Sequence, residues 1–237
     1  MSIFCKKQEE KIKELQSMYD IRNKDAKDYS LVLTDAENQI IELKKLIVKN
    51  PNEDLTNNKY PKIDIHYLRH ETDGDYQIDV RQFINPFNYL LPKLAGQDDD
   101  LALQCLKWVI SNITYIEDKK DYNYDEYWAY SYQTLQRKKG DCEDGAILLA
   151  NILLSNGIPY WKIRITAGDT TFGGHAYVNY FYEKGNYWVT LDWCYFKNMN
   201  PINQRIDYKN DKLYGNVWFS FNSKYAFSLG TSGQILK

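Results

Sequence analysis

The most constraining feature of this sequence is an apolar helical segment that begins directly at a cysteine and leads into strands. In residues 141–167 (DCEDGAILLANILLSNGIPYWKIRITA), the positions from 146 to 154 are apolar at helical spacing, and a Gly-Ile-Pro sequence ends the segment. A strand pattern covers 161–167, and two more, HAYVNYFYE and YWVTLDW, are joined by a Lys-Gly-Asn turn. The pattern predicts an α+β fold in which a buried helix packs against an antiparallel sheet.

Cys142 lies at the first turn of the predicted helix, where backbone N–H groups point outward and the helix dipole is positive. Both effects favour a thiolate, the reactive form of cysteine. Gly140 allows the sharp turn that directs the sulfur outward. The other three cysteines show no metal-ligand spacing or disulfide pattern, and Cys105 on the apolar face LALQCLKW is interpreted as a core residue. We therefore predict that Cys142 is a nucleophile.

A nucleophilic thiol needs a base, and His175 is the candidate because it opens a strand directly after two glycines. The predicted hairpin places Tyr177 nearly opposite Val189, which brings His175 close to Asp192 on the next strand. A carboxylate in that position orients an imidazole. The sequence thus predicts a triad in which Cys142 is the nucleophile, His175 the base and Asp192 the orienting carboxylate.

The segments KKGDCEDGAILLANILLSNGIP, GGHAYV and YWVTLDW, in that order, resemble the transglutaminase-like superfamily. Its core has Cys at a helix N-terminus, His at a strand start and Asp on the adjacent strand. The stretch EYWAYSYQTLQRKKGDCED resembles most the bacterial transglutaminase-like cysteine proteinases, although Ser131 and Gln133 stand where those relatives tend to have Pro and Glu. The resemblance spans roughly residues 98 to 197 and implies a papain-like/transglutaminase-like core.

The same resemblance implies a thiol-dependent amide hydrolase, a cysteine peptidase or isopeptidase, that acts on a protein or peptide substrate through a thioester acyl-enzyme. Hydrolysis is favoured over cross-linking because nothing marks a second amine site. Such an enzyme needs a polar donor for the oxyanion, which Gln133 could supply, while Trp128 could line the acyl site. Packing and capping are the alternative roles of these two residues.

Calcium is also implied by the resemblance, because in some of these proteinases acidic residues beside the cysteine help to hold a calcium ion. Asp141, Glu143 and Asp144 match those residues in position, and oxygen ligands suit Ca²⁺. Alternatively, the three carboxylates cap the helix and pair with Lys138 or Lys139. The chemistry of the predicted triad itself requires no cofactor.

Residues 1–50 differ from the rest, because Lys, Glu, Asp and Gln dominate and apolar residues recur at helical spacing. A helix this polar must pack its narrow apolar stripe on another surface, so it predicts a helical or coiled-coil-like appendage. That appendage could mediate homo-oligomerisation or docking to a particle. Residues 51–62 are a linker by composition, and 63–237 form the predicted transglutaminase-like domain, beginning with the hairpin strands IDIHYLRH and DYQIDVRQFI.

Charge and hydropathy exclude several partners. The net charge of −2 provides no basic field for a nucleic acid, and no apolar run approaches the roughly 20 residues of a membrane span. The N-terminus lacks the apolar stretch of a signal peptide, so we expect a cytoplasmic protein or one incorporated into a viral particle. The second hypothesis is therefore a structural or assembly protein of a phage-like particle (virion) that uses this domain as a scaffold or as a mounted enzyme.

Overall fold

The computed structural model describes residues 64–71, 74–228 and 234–236. The predicted helical appendage at 1–50 and the linker at 51–62 lie outside the described residues, so the domain boundaries stay a prediction. The described part of the chain combines helices and sheets, as the α+β prediction requires.

Four α-helices and ten strands occur in the described residues. The helices are α1 (Asp98–Asn112), α2 (Asp118–Asp121), α3 (Ser131–Arg137) and α4 (Cys142–Ser155). The strands are β1 (Ile65–Glu71), β2 (Gly74–Asp79), β3 (Thr114–Tyr115), β4 (Lys139–Gly140), β5 (Ile163–Thr170), β6 (Gly173–Tyr182), β7 (Tyr187–Leu191), β8 (Tyr214–Phe221), β9 (Ala226–Ser228) and β10 (Gln234–Leu236).

The strands of the described residues form three sheets. The largest is antiparallel, with the order β7-β6-β5-β8-β9, and it carries the two predicted strands that follow the glycine pair and the turn. A second sheet has the order β10-β1-β2, and β3 pairs with β4 in a short parallel ladder. That ladder ends at Gly140, one residue before the cap of α4, so it fixes the direction in which the nucleophile helix starts.

Helix α4 packs against β5 and β6 on one side and against α1 and α3 on the other. Its residues Ala146 to Ile152 are completely buried, which is why its sequence is apolar on every face rather than amphipathic. Cys105 on α1 belongs to the same core and is fully buried, as predicted. Burial of each large aliphatic side chain contributes roughly 1.5–3 kcal/mol, so this helix is anchored firmly behind its first turn.

Two details differ from the predicted strands. The second strand of the first hairpin ends at Asp79, because the Asp79 carboxylate accepts a hydrogen bond from the Arg81 backbone N–H (2.9 Å) and caps a 3₁₀ turn at Val80–Phe83. The strand predicted at 161–167 is instead preceded by a 3₁₀ turn at Tyr160–Lys162 and runs over Ile163–Thr170.

The predicted register of the β6–β7 hairpin is wrong. Val189 lies opposite Tyr180 rather than Tyr177. Four residues separate the paired Tyr182 and Tyr187 in the turn, and Asn186 adopts a left-handed φ of 56°. The turn length does not account for the predicted pairing, because even the three-residue turn expected from the sequence would place Val189 opposite Phe181. In the observed register β7 ends at Leu191, one residue before the predicted catalytic carboxylate.

Candidate active site

The first turn of α4 is held by an indole. Trp193 Nε1 donates a hydrogen bond to the Cys142 carbonyl oxygen (3.1 Å), and the Trp193 side chain is almost completely buried. Gly145, one turn along the helix, leaves room for this ring, because a Cβ atom there would lie 2.1 Å from it. The residue after the predicted carboxylate therefore fixes the backbone that carries the predicted nucleophile.

The ionisation of Cys142 is not dominated by the helix N-terminus, contrary to the expectation from sequence. Burial and the neighbouring Asp141 carboxylate raise the pKa of the Cys142 thiol to about 12. The backbone N–H of Ala176 and the side chain of Glu143 act in the opposite direction. The thiol donates a hydrogen bond to Glu143 Oε2 (3.2 Å). The cysteine is thus neutral in this structure, and it requires a base to become nucleophilic.

His175 and Asp192 form a buried pair. His175 Nε2 lies 2.8 Å from Asp192 Oδ2. The other carboxylate oxygen accepts hydrogen bonds from the backbone N–H groups of Cys194 (3.0 Å) and Tyr195 (3.2 Å), and the Tyr214 hydroxyl donates to Oδ2 (3.2 Å). Burial alone would raise the pKa of Asp192, but these hydrogen bonds and the imidazole outweigh it, so the pKa is lowered. Asp192 is therefore ionised and fully engaged.

The sequence predicted that strand pairing would bring Asp192 to His175. In the structure, the turn after β7 does this instead. Asp192 reaches His175 because its own carboxylate closes a turn with the two following backbone N–H groups. The remaining imidazole nitrogen, Nδ1, is buried and has no hydrogen-bond partner among the described residues. His175 immediately precedes Ala176, whose N–H stabilises the Cys142 thiolate, so the base and the thiol lie on facing elements, β6 and α4.

Five acidic residues gather behind the nucleophile. Oxygen atoms of Asp118, Asp141 and Asp144 lie within 4.8 Å of one another, and so do oxygens of Asp118, Glu126 and Glu143. Burial and the charge of Asp141 raise the pKa of Asp118 to about 8. The pKa values of Glu143 and Asp144 are raised by burial as well. Such a cluster is unstable as a set of bare anions and favours a bound cation or protons.

The predicted calcium ligands Asp141, Glu143 and Asp144 belong to this cluster. Each has a buried carboxylate oxygen without a hydrogen-bond partner, as does Asp118. Oxygens bound to one Ca²⁺ at about 2.3–2.6 Å lie at most about 5 Å apart, which matches the spacing of Asp118, Asp141 and Asp144. Lys139 Nζ instead lies 2.5 Å from Asp121 Oδ1, and no ion pair joins the three acids to Lys138 or Lys139 among the described residues. The donor set therefore fits a calcium ion.

Comparison with known protein families identifies the family of the domain that carries this site. The family described as "Transglutaminase-like domain" matches residues 88–215, which contain the cysteine, the histidine–aspartate pair and the acidic cluster. This chain belongs to the transglutaminase-like domain family. The predicted family and fold class are thereby confirmed.

Two proteins, one of them in two solved structures, illustrate what this transglutaminase-like domain is similar to. The UPF0252 protein PH1321 of Pyrococcus horikoshii is 38% identical over 86 residues, which is 36% of this chain and 21% of that protein, so the chain matches about a fifth of this relative's length. Calcium-bound LapG of Legionella pneumophila has 20% identity and a TM-score of 0.48, covering 68% of this chain and 87% of the other. EGTA-treated LapG has 22% identity and a TM-score of 0.45, covering 59% and 72%.

Trp128 and Gln133 have structural contacts in this transglutaminase-like domain. The Trp128 ring is buried and stacks on Tyr67 with ring centroids 5.2 Å apart. Gln133 Oε1 accepts a hydrogen bond from the Tyr130 backbone N–H (2.8 Å) and so caps α3. These contacts agree with the packing and capping alternatives, and a role of either residue toward substrate stays a prediction.

Several residues of the site carry no local sequence signal. Asp118 and Glu126 precede the cysteine by a long stretch of chain, and Tyr195 and Tyr214 contact the histidine–aspartate pair from a loop and from β8. Among the helices of the described residues, none is both long enough and apolar enough to cross a membrane.

Proposed function

We propose that this protein is a thiol-dependent amide hydrolase, a cysteine peptidase or isopeptidase, that uses Cys142, His175 and Asp192. One observation carries the proposal: a buried His175–Asp192 pair (2.8 Å) leaves the second imidazole nitrogen without a hydrogen bond, on the strand whose next N–H faces the thiol at the start of α4. Such an arrangement is suited to move one proton between a sulfur and a substrate nitrogen.

In the proposed reaction, His175 Nδ1 takes the proton from the Cys142 thiol as the sulfur attacks the carbonyl carbon of a peptide or isopeptide bond. The tetrahedral intermediate collapses when Nδ1 returns that proton to the amine nitrogen, so the C–N bond breaks and a thioester remains. Water then adds to the thioester carbonyl, giving its proton to Nδ1. The thiol leaves as its sulfur recovers that proton, and the substrate acid is released.

Asp192 supports this cycle by stabilising the imidazolium that exists between the two transfers. Its ionised form is secured by two backbone N–H groups and by the Tyr214 hydroxyl, so the carboxylate does not have to be reoriented during the reaction. The transfer of the thiol proton to His175 also removes the need for a lowered thiol pKa in the resting protein.

A scaffold role in a phage-like particle remains the second candidate function, and it is favoured by the polar helical pattern of residues 1–50. A scaffold has no use for the reactivity of Cys142. The enzyme and scaffold hypotheses therefore differ in the reactivity that they predict for the Cys142 thiol.

Alkylation kinetics test the enzyme proposal. In the native full-length protein, iodoacetamide at pH 7.5 should modify Cys142 at least about tenfold faster than buried Cys105, as followed by peptide mapping. His175→Ala should slow modification of Cys142 by about tenfold or more, since the base is lost. His70→Ala is the matched control, because His70 is exposed and, among the described residues, its side chain bonds to Asp75 alone (2.8 Å). Equal rates at Cys142 and Cys105, or no effect of His175→Ala, would favour the scaffold.

We also propose that Asp118, Asp141, Glu143 and Asp144 hold a calcium ion. The buried, unpartnered oxygens of all four acids support this assignment. The mutual spacing of Asp118, Asp141 and Asp144 supports it as well, and Glu143 lies equally close to Asp118 and to Asp141. When bound, the cation would neutralise negative charge beside Cys142 and tie the start of α4 to α2.

Thermal denaturation tests the calcium proposal. Calcium at about 100 times its Kd should stabilise protein stripped of metal by about 2.7 kcal/mol and raise its Tm by about 5–10 °C, because the ion binds only the folded state. Asp118→Asn should remove most of this shift. Asp125→Asn, which affects an exposed carboxylate paired with Lys119, should leave it intact. If calcium raises the Tm equally in both variants, or does not raise it in the wild type, the acidic cluster does not bind the ion and has a structural role alone.

A further inference from the structure

Aromatic rings border His175 on the side of the Asp192 turn. Tyr195 stacks parallel on the imidazole, with centroids 4.2 Å apart and an interplanar angle of 7°. Phe172 and Phe196 stack on each other at 5.1 Å and 8°, and both meet Tyr195 nearly at right angles, at 79° and 84°. These three rings form an aromatic corner (Phe172, Tyr195, Phe196), with the stacked phenylalanines as one wall and Tyr195 as the other.

The aromatic corner is open to solvent. Phe172 lies at the tip of the β5–β6 hairpin with 73% of its surface exposed, and Tyr195 is 38% exposed. The hairpin tip is fastened by the Thr171 backbone N–H, which donates to the Leu213 carbonyl (3.1 Å), so the exposed ring is presented from a tethered turn. Its stacking on Phe196 fixes the ring plane as well. An ordered apolar surface that directly adjoins a candidate base is typical of a ligand subsite.

A strand edge lies beside the same corner. β7 pairs with β6 only as far as Val178, so residues 173–177 of β6 have no strand partner on that side among the described residues. The Ala176 N–H faces the Cys142 sulfur there. Because backbone groups alternate along a strand, the N–H and C=O of Gly174 face the same edge. Gly174 is exposed, and the Trp218 ring lies against it, since a Cβ atom there would come within 2.5 Å of that ring. The backbone edge itself carries no strand, so an extended peptide can pair with it.

We propose that the aromatic corner is the subsite for an apolar side chain, aromatic or branched aliphatic, on the leaving-amine side of the scissile bond. The inference rests on the proposed function, in which His175 protonates the leaving amine. Since Tyr195 lies on the His175 ring, the corner adjoins the place where that amine departs. A peptide extended along Gly174 presents its side chains alternately to either face, and a large apolar group next to the leaving nitrogen covers the exposed Phe172 ring.

Paired covalent probes test this subsite without requiring turnover. Two peptidyl vinyl sulfones with the same peptide part are compared, one with a benzyl and one with a methyl group on the sulfone, which extends past the reacting carbon toward the leaving side. The rate of Cys142 labelling is divided by the rate of each reagent with free cysteine. We expect the benzyl probe to be about 10–100-fold faster on this normalised scale, as apolar pockets discriminate by such factors.

Phe172→Ala should lower the normalised benzyl rate to near the methyl rate, while the methyl rate and the iodoacetamide rate stay unchanged. Phe172→Leu should keep part of the preference. Phe87→Ala is the matched control, because Phe87 is equally exposed at 74% and should leave both rates unchanged.

Three results would overturn the subsite. Equal benzyl and methyl rates in the wild type, with iodoacetamide labelling that still depends on His175, would reject the subsite and leave the proposed hydrolase standing. A Phe172→Ala variant that slows all three reagents equally would give Phe172 a merely structural role. Absence of labelling at Cys142 by every reagent would reject the proposed function and the subsite together.

Discussion

Cys142→Ala should abolish amide hydrolysis while leaving the folded domain intact. The sulfur is the only atom removed, so the free energy of unfolding should change by no more than about 1 kcal/mol. Activity is best measured by mass spectrometry on a mixed peptide library, since it reports cleavage of unknown sequences. Circular dichroism and thermal denaturation of the same samples establish that the variant is folded.

The other two members of the predicted triad should lose activity for different reasons. His175→Ala removes the group that accepts the thiol proton and returns it to the amine, so its loss should approach that of Cys142→Ala. Asp192→Asn places an amide N–H where Oδ2 faces His175 and Tyr214, so the imidazole loses its acceptor and its preferred tautomer. A fall of about 10²–10⁴-fold is expected.

The pattern among variants distinguishes a catalytic unit from three independent contributions. The double variant of Cys142 and His175 should be no worse than Cys142→Ala alone, because the residues act as a unit. Tyr214→Phe is the control for Asp192, since it deletes one of four hydrogen bonds to the carboxylate and should cost less than about tenfold. Full cleavage by Cys142→Ala would disprove the assignment of the nucleophile.

The helix and the identity of its first residue could be predicted because they depend on local signals. Cys142 lies two residues after a glycine and shortly before the apolar residues 146–150, and that pattern predicts a buried helix that begins near the cysteine. The position of His175 near the start of β6 follows in the same way, from the glycine pair before it. The predicted β6–β7 register is wrong by three residues, which is more than the one-residue shift between a three- and a four-residue turn. Both strands are largely apolar, so the residue pattern does not specify one pairing over its neighbours.

The remaining features depend on contacts between distant parts of the chain. Asp118 joins the acidic cluster from a one-turn helix, and nothing in its neighbourhood distinguishes it from an exposed acid. The prediction that the helix N-terminus makes Cys142 a thiolate was also wrong. A helix N-terminus favours a thiolate only when burial and nearby carboxylates do not oppose it. Electrostatic outcomes of this kind are sums over tertiary neighbours, which the linear pattern does not contain.

Gly145→Ala should destabilise the domain strongly, even though alanine is the better helix former. The new Cβ would lie 2.1 Å from the Trp193 ring, which is 1% exposed. The ring must therefore leave its site or the helix must shift, at a cost of about 3–5 kcal/mol if most of the indole contacts are lost. Because Trp193 Nε1 also holds the Cys142 carbonyl, activity should fall at temperatures where the variant remains folded.

In a double-mutant cycle, the effect of Gly145→Ala on the free energy of unfolding should change sign when Trp193 is absent. In a Trp193→Ala background the clash is absent, so adding Gly145→Ala should stabilise the protein by up to about 1 kcal/mol through helix propensity. Urea denaturation of the four proteins, with m-values compared to ensure similar native states, measures both steps. If Gly145→Ala destabilises equally in both backgrounds, the glycine is required for a reason other than Trp193. The link from the Asp192 turn to the first turn of α4 would then be lost as an explanation of how the nucleophile is positioned.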